Sequence, residues 1–377
     1  MRLILTSILC FVSMLSGAPV AAQQPGMLLS ANEMRDEPEG MQAWRIRYTS
    51  TNDRGQAEEV TGVVIAPTGV PSRMGRPVLA WAHGTWGVAG KCTFADDKAF
   101  YKITPGLQSA ISRGYVVVAT DYAGLGTPQP HPYLVGASAA HSVLDAVRAA
   151  RAIPEAGAGN RFATWGESQG GHASLWAGQL ARSYAPDLSL IAVAAAAPPT
   201  DLIENLTGGS DPSIRAFLTA FTADSWSRHY GISLRTLGNK STGGLITRLA
   251  QNNCISLDAK PKLGMIIGIV ALRRQLKGVD LGRISPWARL SRDNSPTARD
   301  YGVPMLIAQN DGDVIVSPEV TRQFARKLCR SGASLRYVPI NTSGGHPTSA
   351  ADSADVTLNW IDARFAGERP PSDCGSI

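Results

Sequence analysis

The chain alternates between short runs that are apolar throughout and longer segments in which apolar residues recur at helical spacing. The apolar runs, which predict buried strands, are RPVLAWAHG, YVVVATDYAG, NRFATWG, LSLIAVAAAAPP, VPMLIAQ and SLRYVPI. The segments between them predict helices over residues 98–112, 136–151, 169–184, 318–330 and 350–365. Wholly apolar strands that alternate with helices indicate a mostly parallel sheet with helices on both faces.

Two regions depart from this rhythm. Near the N-terminus, a polar lead-in precedes two extended runs that flank Asn52-Asp53-Arg54-Gly55, which is a hairpin signal. After Thr200, residues 201–300 carry helix-like patterns and no convincing strand, so they predict a helical cap inserted into one α/β core. The predicted organisation is a signal peptide over 1–22, the first part of the core over 23–200, the cap over 201–300 and the second part of the core over 301–377.

The first 22 residues have the features of a secretory signal peptide. Arg2 supplies a positive charge, an apolar segment follows, and small residues lead to a predicted cleavage site after Ala22. The mature chain would then be secreted or periplasmic. It has no apolar stretch long enough to span a membrane, and a net charge of +6 without basic clusters argues against a nucleic-acid partner.

Removal of that peptide leaves an even number of cysteines, which in an exported protein suggests two disulfides. The four are Cys92, Cys254, Cys329 and Cys374. The sequence does not fix which cysteines pair. One hypothesis joins Cys329 to Cys374 at the C-terminal tail and Cys92 to Cys254 across the insertion.

The pentapeptide Gly166-Glu167-Ser168-Gln169-Gly170 lies between a predicted buried strand and a predicted helix. A G-x-S-x-G turn in that context strains the serine backbone and projects the hydroxyl above the sheet. Both flanking positions must be very small because larger side chains would collide there. We therefore expect Ser168 to be a catalytic nucleophile.

A serine nucleophile needs a base, and the expected chain order is serine, then an acid, then histidine. His346 is the histidine that follows the last predicted strands, in a loop with two glycines before it. Asp311 and Asp313 both follow the strand PMLIAQ. Asp313 is the preferred acid, and Asp311 is interpreted as a turn residue beside Gly312.

The oxyanion of such a reaction needs hydrogen-bond donors. We expect the backbone N–H of Gln169, directly after the nucleophile, and Thr85 in the loop HGTWG. His172 and Asp121 are interpreted as packing and structural residues. No metal-binding or nucleotide-binding motif is present, and the chemistry needs no cofactor.

Taken together, these segments resemble the secretory lipase family of α/β-hydrolases, which includes Candida-type lipase A. The resemblance rests on AHGTWG with Cys92 after it, ATDYAGLGTPQPHPYLVG, VLDAVRAAR, GESQGGHA, the Asp313 segment and GGH. It implies an α/β-hydrolase fold, a helical cap after the sixth core strand, and a catalytic triad carried over to Ser168, Asp313 and His346. Fungal members use an acidic side chain in the oxyanion loop, where this chain has His83-Gly84-Thr85.

The leading hypothesis is therefore a secreted serine hydrolase of carboxylic esters, with triacylglycerols as substrates and a cap that contacts the lipid interface. A short-chain carboxylesterase or an acyltransferase on the same triad is the alternative. A catalytically dead binding protein on the same fold is a third hypothesis, which the presence of all three triad residue types disfavours.

Overall fold

The computed structural model describes residues 24–71, 73–95, 100–208, 211–255 and 262–377. The predicted signal peptide over 1–22 lies outside the described residues. No helix in the described ranges is both long and apolar enough to cross a membrane.

Within the described residues, nine strands form one sheet. They are β1 (Leu28–Glu33), β2 (Met41–Thr51), β3 (Ala57–Pro67), β4 (Arg76–Ala82), β5 (Val116–Thr120), β6 (Ala158–Glu167), β7 (Ser189–Ala196), β8 (Met305–Asn310) and β9 (Leu335–Ile340). Their spatial order is β1-β2-β3-β5-β4-β6-β7-β8-β9. The last six strands in chain order pair in parallel, whereas β1, β2 and β3 pair antiparallel.

This topology confirms the predicted mostly parallel α/β sheet, including the hairpin between β2 and β3. It also contains a strand that the hydrophobic pattern did not predict. The segment interpreted as a polar lead-in forms the antiparallel edge strand β1. Most of its side chains are exposed, so it has no apolar run, and its stability comes from backbone pairing with β2.

In the described ranges the helices all follow β4 in the chain. They are α1 (Phe100–Ile103), α2 (Leu107–Ser112), α3 (Gly136–Arg151), α4 (Gln169–Tyr184), α5 (Leu202–Thr207), α6 (Pro212–Tyr230), α7 (Lys240–Asn252), α8 (Leu263–Gln275), α9 (Trp287–Asp293), α10 (Pro318–Arg330), α11 (Ser349–Asp352) and α12 (Ala354–Phe365). Short 3₁₀ turns cover Leu234–Leu237 and His346–Thr348.

Two predicted helices are each divided in the structure. The helix predicted over 98–112 is split into α1 and α2 because Pro105 lacks an amide proton and Gly106 takes a left-handed conformation, with φ of 62°. Residues 98 and 99 lie outside the described ranges. The helix predicted over 350–365 is split into α11 and α12 at Ser353, whose hydroxyl donates to the backbone carbonyl of Ser349 at 2.7 Å.

Alternate residues of each parallel strand face opposite layers of helices. In β4, Val78 and Ala80 belong to the apolar cluster covered by α3 and α4, whereas Leu79 and Trp81 belong to the one covered by α2 and α12. The helix α10 packs on the same face as α4. Burial on both faces explains why these strands are apolar throughout.

Helices α5 to α9 lie between β7 and β8 and are called here the cap segment (residues 201–300). In the described part of that range, the ordered elements are helices and a 3₁₀ turn. They share an apolar cluster in which the indoles of Trp226 and Trp287 stack at 6.3 Å, and Tyr133 and Leu134 from a core loop join it. The cap segment therefore has its own small core, which rests on the loops above the sheet.

Two disulfides connect distant parts of the chain. Cys92 bonds to Cys254, which joins the loop after β4 to the cap segment. Cys329 bonds to Cys374, which fixes the C-terminal tail to α10. Both bonds agree with the hypothesised pairing.

Candidate active site

Ser168 stands at the sharp turn between β6 and α4. Its backbone φ of 54° and ψ of −119° are unusual for a residue other than glycine. The amide of Ser168 donates to the carbonyl of Ala196 at 2.9 Å, and its carbonyl accepts from the backbone amide of His172 at 3.0 Å. These backbone bonds hold the strained residue between the neighbouring strand and the first turn of α4.

The two glycines of the pentapeptide have specific steric reasons. A Cβ atom on Gly170 would overlap the backbone carbonyl of Ala82 in β4. A Cβ atom on Gly166 would overlap the carbonyl of Gly170 itself. The turn is therefore possible only because both positions lack side chains.

His346 reaches Ser168 from the loop after β9. Its Nε2 lies 2.8 Å from Oγ of Ser168, and its Nδ1 lies 2.7 Å from Oδ2 of Asp313. Gly345 precedes it with φ of 65°, which glycine adopts without strain. Since an ionised carboxylate only accepts, Nδ1 of the neutral ring donates to Asp313 and Nε2 accepts from the serine hydroxyl.

Asp313 and Asp311 occupy different environments after β8. Asp313 is buried, and its Oδ1 accepts from the amides of Ile315 at 2.8 Å and Val316 at 2.9 Å. Asp311 is exposed, and it pairs with Arg322 at 3.2 Å. The structure thus brings Ser168, His346 and Asp313 into one hydrogen-bonded chain and leaves Asp311 at the surface.

The two expected oxyanion donors lie beside Ser168 on the wall of one cavity. Among the hydrogen bonds within the described part of the chain, none uses the backbone N–H of Gln169 or of Thr85. The hydroxyl of Thr85 lies 2.9 Å from that of Tyr133. Burial raises the pKa of Tyr133 to about 12, so the phenol keeps its proton and can donate it to Thr85.

The side chain of Gln169 has a separate structural contact. Its Nε2 lies 3.1 Å from Nε2 of His131, whose Nδ1 lies 2.7 Å from the carbonyl of Ala123. Burial lowers the pKa of His131 to about 4, so the ring is neutral, with Nδ1 donating and Nε2 accepting. This chain of contacts holds the start of α4 next to Ser168.

Three contributing residues were not predicted from the sequence. Gln309 donates from Nε2 to Oδ2 of Asp313 at 3.0 Å, and its position as a polar residue in an apolar strand was the available signal. Tyr133 lies in the segment HPYLVG, which was used for the resemblance alone. Glu167 lines the cavity beside Ser168, where it accepts from the amide of Ala350 at 2.8 Å.

The carboxyl of Glu167 is the most perturbed acid at this site. Burial raises its pKa to about 7, against the opposing effects of the Ala350 amide and His346, and the nearby carboxylates of Asp313 and Asp352 add to the rise. The Ala350 amide that it accepts from lies just after the His346 turn. Glu167 therefore connects the serine turn directly to the histidine loop.

His172 and Asp121 have the structural contacts that were expected of them. Nε2 of His172 lies 2.7 Å from the carbonyl of Asn294, and burial lowers its pKa to about 4. Asp121 accepts from the amide of Ala95 at 2.9 Å and from the hydroxyl of Thr61 at 2.8 Å.

His83 contacts its neighbour, with Nδ1 2.6 Å from the carbonyl of Gly84, and its ring stacks on that of Phe94.

A cavity of about 350 Å³ opens at Ser168 between the sheet and the cap segment. Its apolar lining from the cap segment is Leu206, Ile214, Phe217, Leu218, Ile255 and Met265. The core contributes Trp86, Ile103 and Leu134. The serine hydroxyl thus borders a space whose walls are mostly hydrocarbon.

Comparison with known protein families matches residues 103–226 and 290–373 to a family described as secretory lipase. Among curated proteins, a probable inactive lipase of Mycobacterium tuberculosis is 24% identical over 88% of this chain and 75% of its own length. Lipase 4 of Candida albicans is 25% identical over 76% of this chain. The chain spans 62% of the length of Lipase 4, which is less than two thirds.

Among solved structures, Candida antarctica lipase A in its closed state superposes with a TM-score of 0.75 and 17% identity. The superposition covers 94% of this chain and 85% of that one. At this level of identity the likeness supports the fold.

Proposed function

The chain belongs to the secretory lipase family, and we propose that it is a secreted serine hydrolase that cleaves the carboxylic esters of triacylglycerols. The observation that carries the proposal is the hydrogen-bonded chain from Ser168 through His346 to Asp313 beside an apolar cavity.

In the proposed reaction, Oγ of Ser168 attacks the ester carbonyl while its proton passes to Nε2 of His346. The buried carboxylate of Asp313 stabilises the imidazolium that forms and holds the ring in the required tautomer. As the tetrahedral intermediate collapses, the C–O bond to the alcohol breaks and the alcohol takes the proton from Nε2. Water then attacks the acyl-enzyme by the same route and releases the fatty acid and free Ser168.

The oxyanion of the intermediate would be bound by the backbone N–H groups of Gln169 and Thr85. The N–H of Gln169 lies at the N-terminus of α4, where the helix dipole favours negative charge. If Tyr133 donates to the hydroxyl of Thr85, that hydroxyl keeps its own proton for the oxyanion. Loss of one such donor typically costs about 3 kcal/mol of transition-state stabilisation.

The lining of the cavity supports an acyl substrate. Burying a hydrocarbon chain against apolar walls is favourable by about 0.8 kcal/mol per methylene group. We also propose that the cap segment contacts the lipid aggregate that holds the substrate. Two disulfides support an oxidising, extracytoplasmic compartment, in line with the predicted signal peptide.

A short-chain carboxylesterase is a second candidate. The cavity volume of about 350 Å³ is near the lower end of the range for ligand sites, which favours short acyl chains. Hydrolysis of emulsified triolein and of p-nitrophenyl acetate distinguishes the two candidates. Activity on the acetate without activity on triolein would leave the esterase and exclude the lipase.

The similarity to a probable inactive lipase makes a direct test of the nucleophile necessary. We expect a fluorophosphonate probe to label the mature protein at Ser168, and the Ser168→Ala variant to lose labelling and hydrolysis. The loss should reach about 10⁶-fold, as for other serine hydrolases without their nucleophile. An unlabelled but folded wild-type protein would contradict the proposed function.

A further inference from the structure

The helix α8 of the cap segment has an exposed apolar face. Leu263, Ile266, Ile267 and Val270 are 72%, 47%, 60% and 40% exposed. Their spacing of three, one and three residues places them on one side of the helix. Two residues mark the opposite side of the helix. Leu272 is buried there, and Met265 lines the cavity at Ser168.

The same face continues as a cluster of cations. Arg273, Arg274 and Lys277 follow Val270 at helical spacing, and all three are exposed. Within the described ranges, no ion pair involves any of them. Together with Arg215 of α6, they line a groove of about 1070 Å³ beside the end of α8. The acidic residue of that groove, Asp280, pairs with Arg283 at 3.1 Å.

The charge of this face determines what can cover it. In a symmetric dimer the same surface would contribute from both copies, so each cation cluster would face either the partner's cations, which repels, or the partner's apolar side chains, which removes the cations from water without a counter-charge. A lipid surface with anionic headgroups can bind both the apolar side chains and the cations of this face. Apolar side chains enter the acyl region while nearby cations remain at the level of the phosphates.

We propose that the exposed face of α8, from Leu263 to Lys277, docks the protein onto the surface of anionic phospholipid. Leu263, Ile266, Ile267 and Val270 enter the outer acyl layer, and Arg273, Arg274 and Lys277 bind headgroup phosphates. Because Met265 lies on the reverse side of the same helix, docking places the cavity at Ser168 directly behind α8, one helix diameter (~10 Å) from the lipid. The role of this surface in bringing the enzyme to its substrate rests on the proposed function, but the binding itself can be measured without catalysis.

The experiment uses the Ser168→Ala protein, so that no lipid is consumed. Its binding is compared between vesicles of phosphatidylcholine and vesicles of equal parts phosphatidylcholine and phosphatidylglycerol, by flotation. We expect tight, salt-sensitive binding to the mixed vesicles. Replacing Arg273, Arg274 and Lys277 with Gln should weaken it by about 100-fold, since each cation near such a surface contributes roughly a factor of five.

The matched control removes three exposed cations from core helices through Arg182→Gln, Lys327→Gln and Arg330→Gln, an identical change in net charge. It should weaken binding far less than the α8 variant. A second variant, Leu263→Ser with Ile267→Ser, should weaken binding to both kinds of vesicle, and circular dichroism confirms that each variant is folded.

Equal effects of the two charge variants, equal binding to both kinds of vesicle, or no binding at all would overturn the proposal. Dimerisation that Leu263→Ser and Ile267→Ser abolish, without vesicle binding, would instead assign the face to a second copy. Residual hydrolysis by Ser168→Ala would contradict the proposed function and leave the docking result unaffected.

Discussion

The serine site and the cap segment differ in how closely their residues are fitted. At the site, Ser168, His346 and Asp313 each have a partner within 3 Å, and Gly166 and Gly170 have no space for a further atom. The cap segment, by contrast, has an apolar face and a cation cluster that are exposed on α8. The core therefore fixes the reacting atoms, whereas the cap segment presents a surface.

The first prediction compares a glycine from each region. Gly170→Ala places a methyl group on the carbonyl of Ala82, and two backbone segments must separate to accept it. We expect the substitution to cost more than about 4 kcal/mol of unfolding free energy and to abolish hydrolysis. Denaturant unfolding and an ester assay measure the two effects.

Gly244→Ala is the control in the cap segment. Gly244 is exposed in α7, and a Cβ atom there meets nothing within 4 Å. Because alanine is the better helix former, we expect this variant to be more stable by roughly 0.5–1 kcal/mol and fully active. A Gly170→Ala protein as stable and active as Gly244→Ala would refute the close fit described for the turn.

The second prediction separates the two aspartates after β8. In Asp313→Asn the side-chain oxygen is expected to stay on the amides of Ile315 and Val316, so the NH₂ group faces Nδ1 of His346. The ring then loses its charge partner and its preferred tautomer. We expect kcat to fall by about 10⁴-fold, as in comparable triads, while the fold persists. Steady-state kinetics and near-ultraviolet circular dichroism give the two measurements.

Asp311→Asn makes the same chemical change two residues away. It removes an exposed ion pair with Arg322, which is worth about 0–1 kcal/mol, and should leave kcat unchanged. If Asp311→Asn were the variant that lost activity, the assignment of the acid would be wrong.

The sequence predicted the parallel sheet because strands buried on both faces must be apolar throughout. It did not predict β1, since an exposed edge strand has no such run and depends on pairing with β2. The sequence also predicted one helix where the structure has α1 and α2, and one where it has α11 and α12. The breaks at Gly106 and Ser353 are local and do not interrupt the helical spacing of the apolar residues.

The candidate site was accessible to sequence reasoning where backbone geometry demands a residue type. The glycines around Ser168 and before His346 are of this kind. Contacts between segments distant in the chain were not accessible, since Gln309 and Tyr133 gain their roles through the atoms that the fold places beside them. The role of Glu167 also depends on the approach of Ala350 from 183 positions further along.

The third and smallest expected effect concerns Glu167, where the close fit of the site has an energetic cost. Its ordinary pKa is 4.5, and burial raises the pKa to about 7 in the folded protein. Between these values the unfolded chain has released the proton that the folded chain retains, so stability falls as the pH rises. Glu167→Gln avoids this cost, and we expect it to match the wild type at pH 4 and to exceed its stability by up to about 3 kcal/mol at pH 8.

The same substitution should lower activity. Above pH 7 the ionised carboxylate favours the imidazolium that forms when His346 takes the serine proton, whereas glutamine keeps the bond to Ala350 without the charge. We expect kcat to fall roughly 3- to 10-fold at pH 8 and less at pH 6, where wild-type Glu167 is mostly protonated. Melting curves and pH–rate profiles of both proteins test this. A variant with parallel profiles would show that Glu167 only positions the loop, because a purely structural bond has no reason to change with the charge.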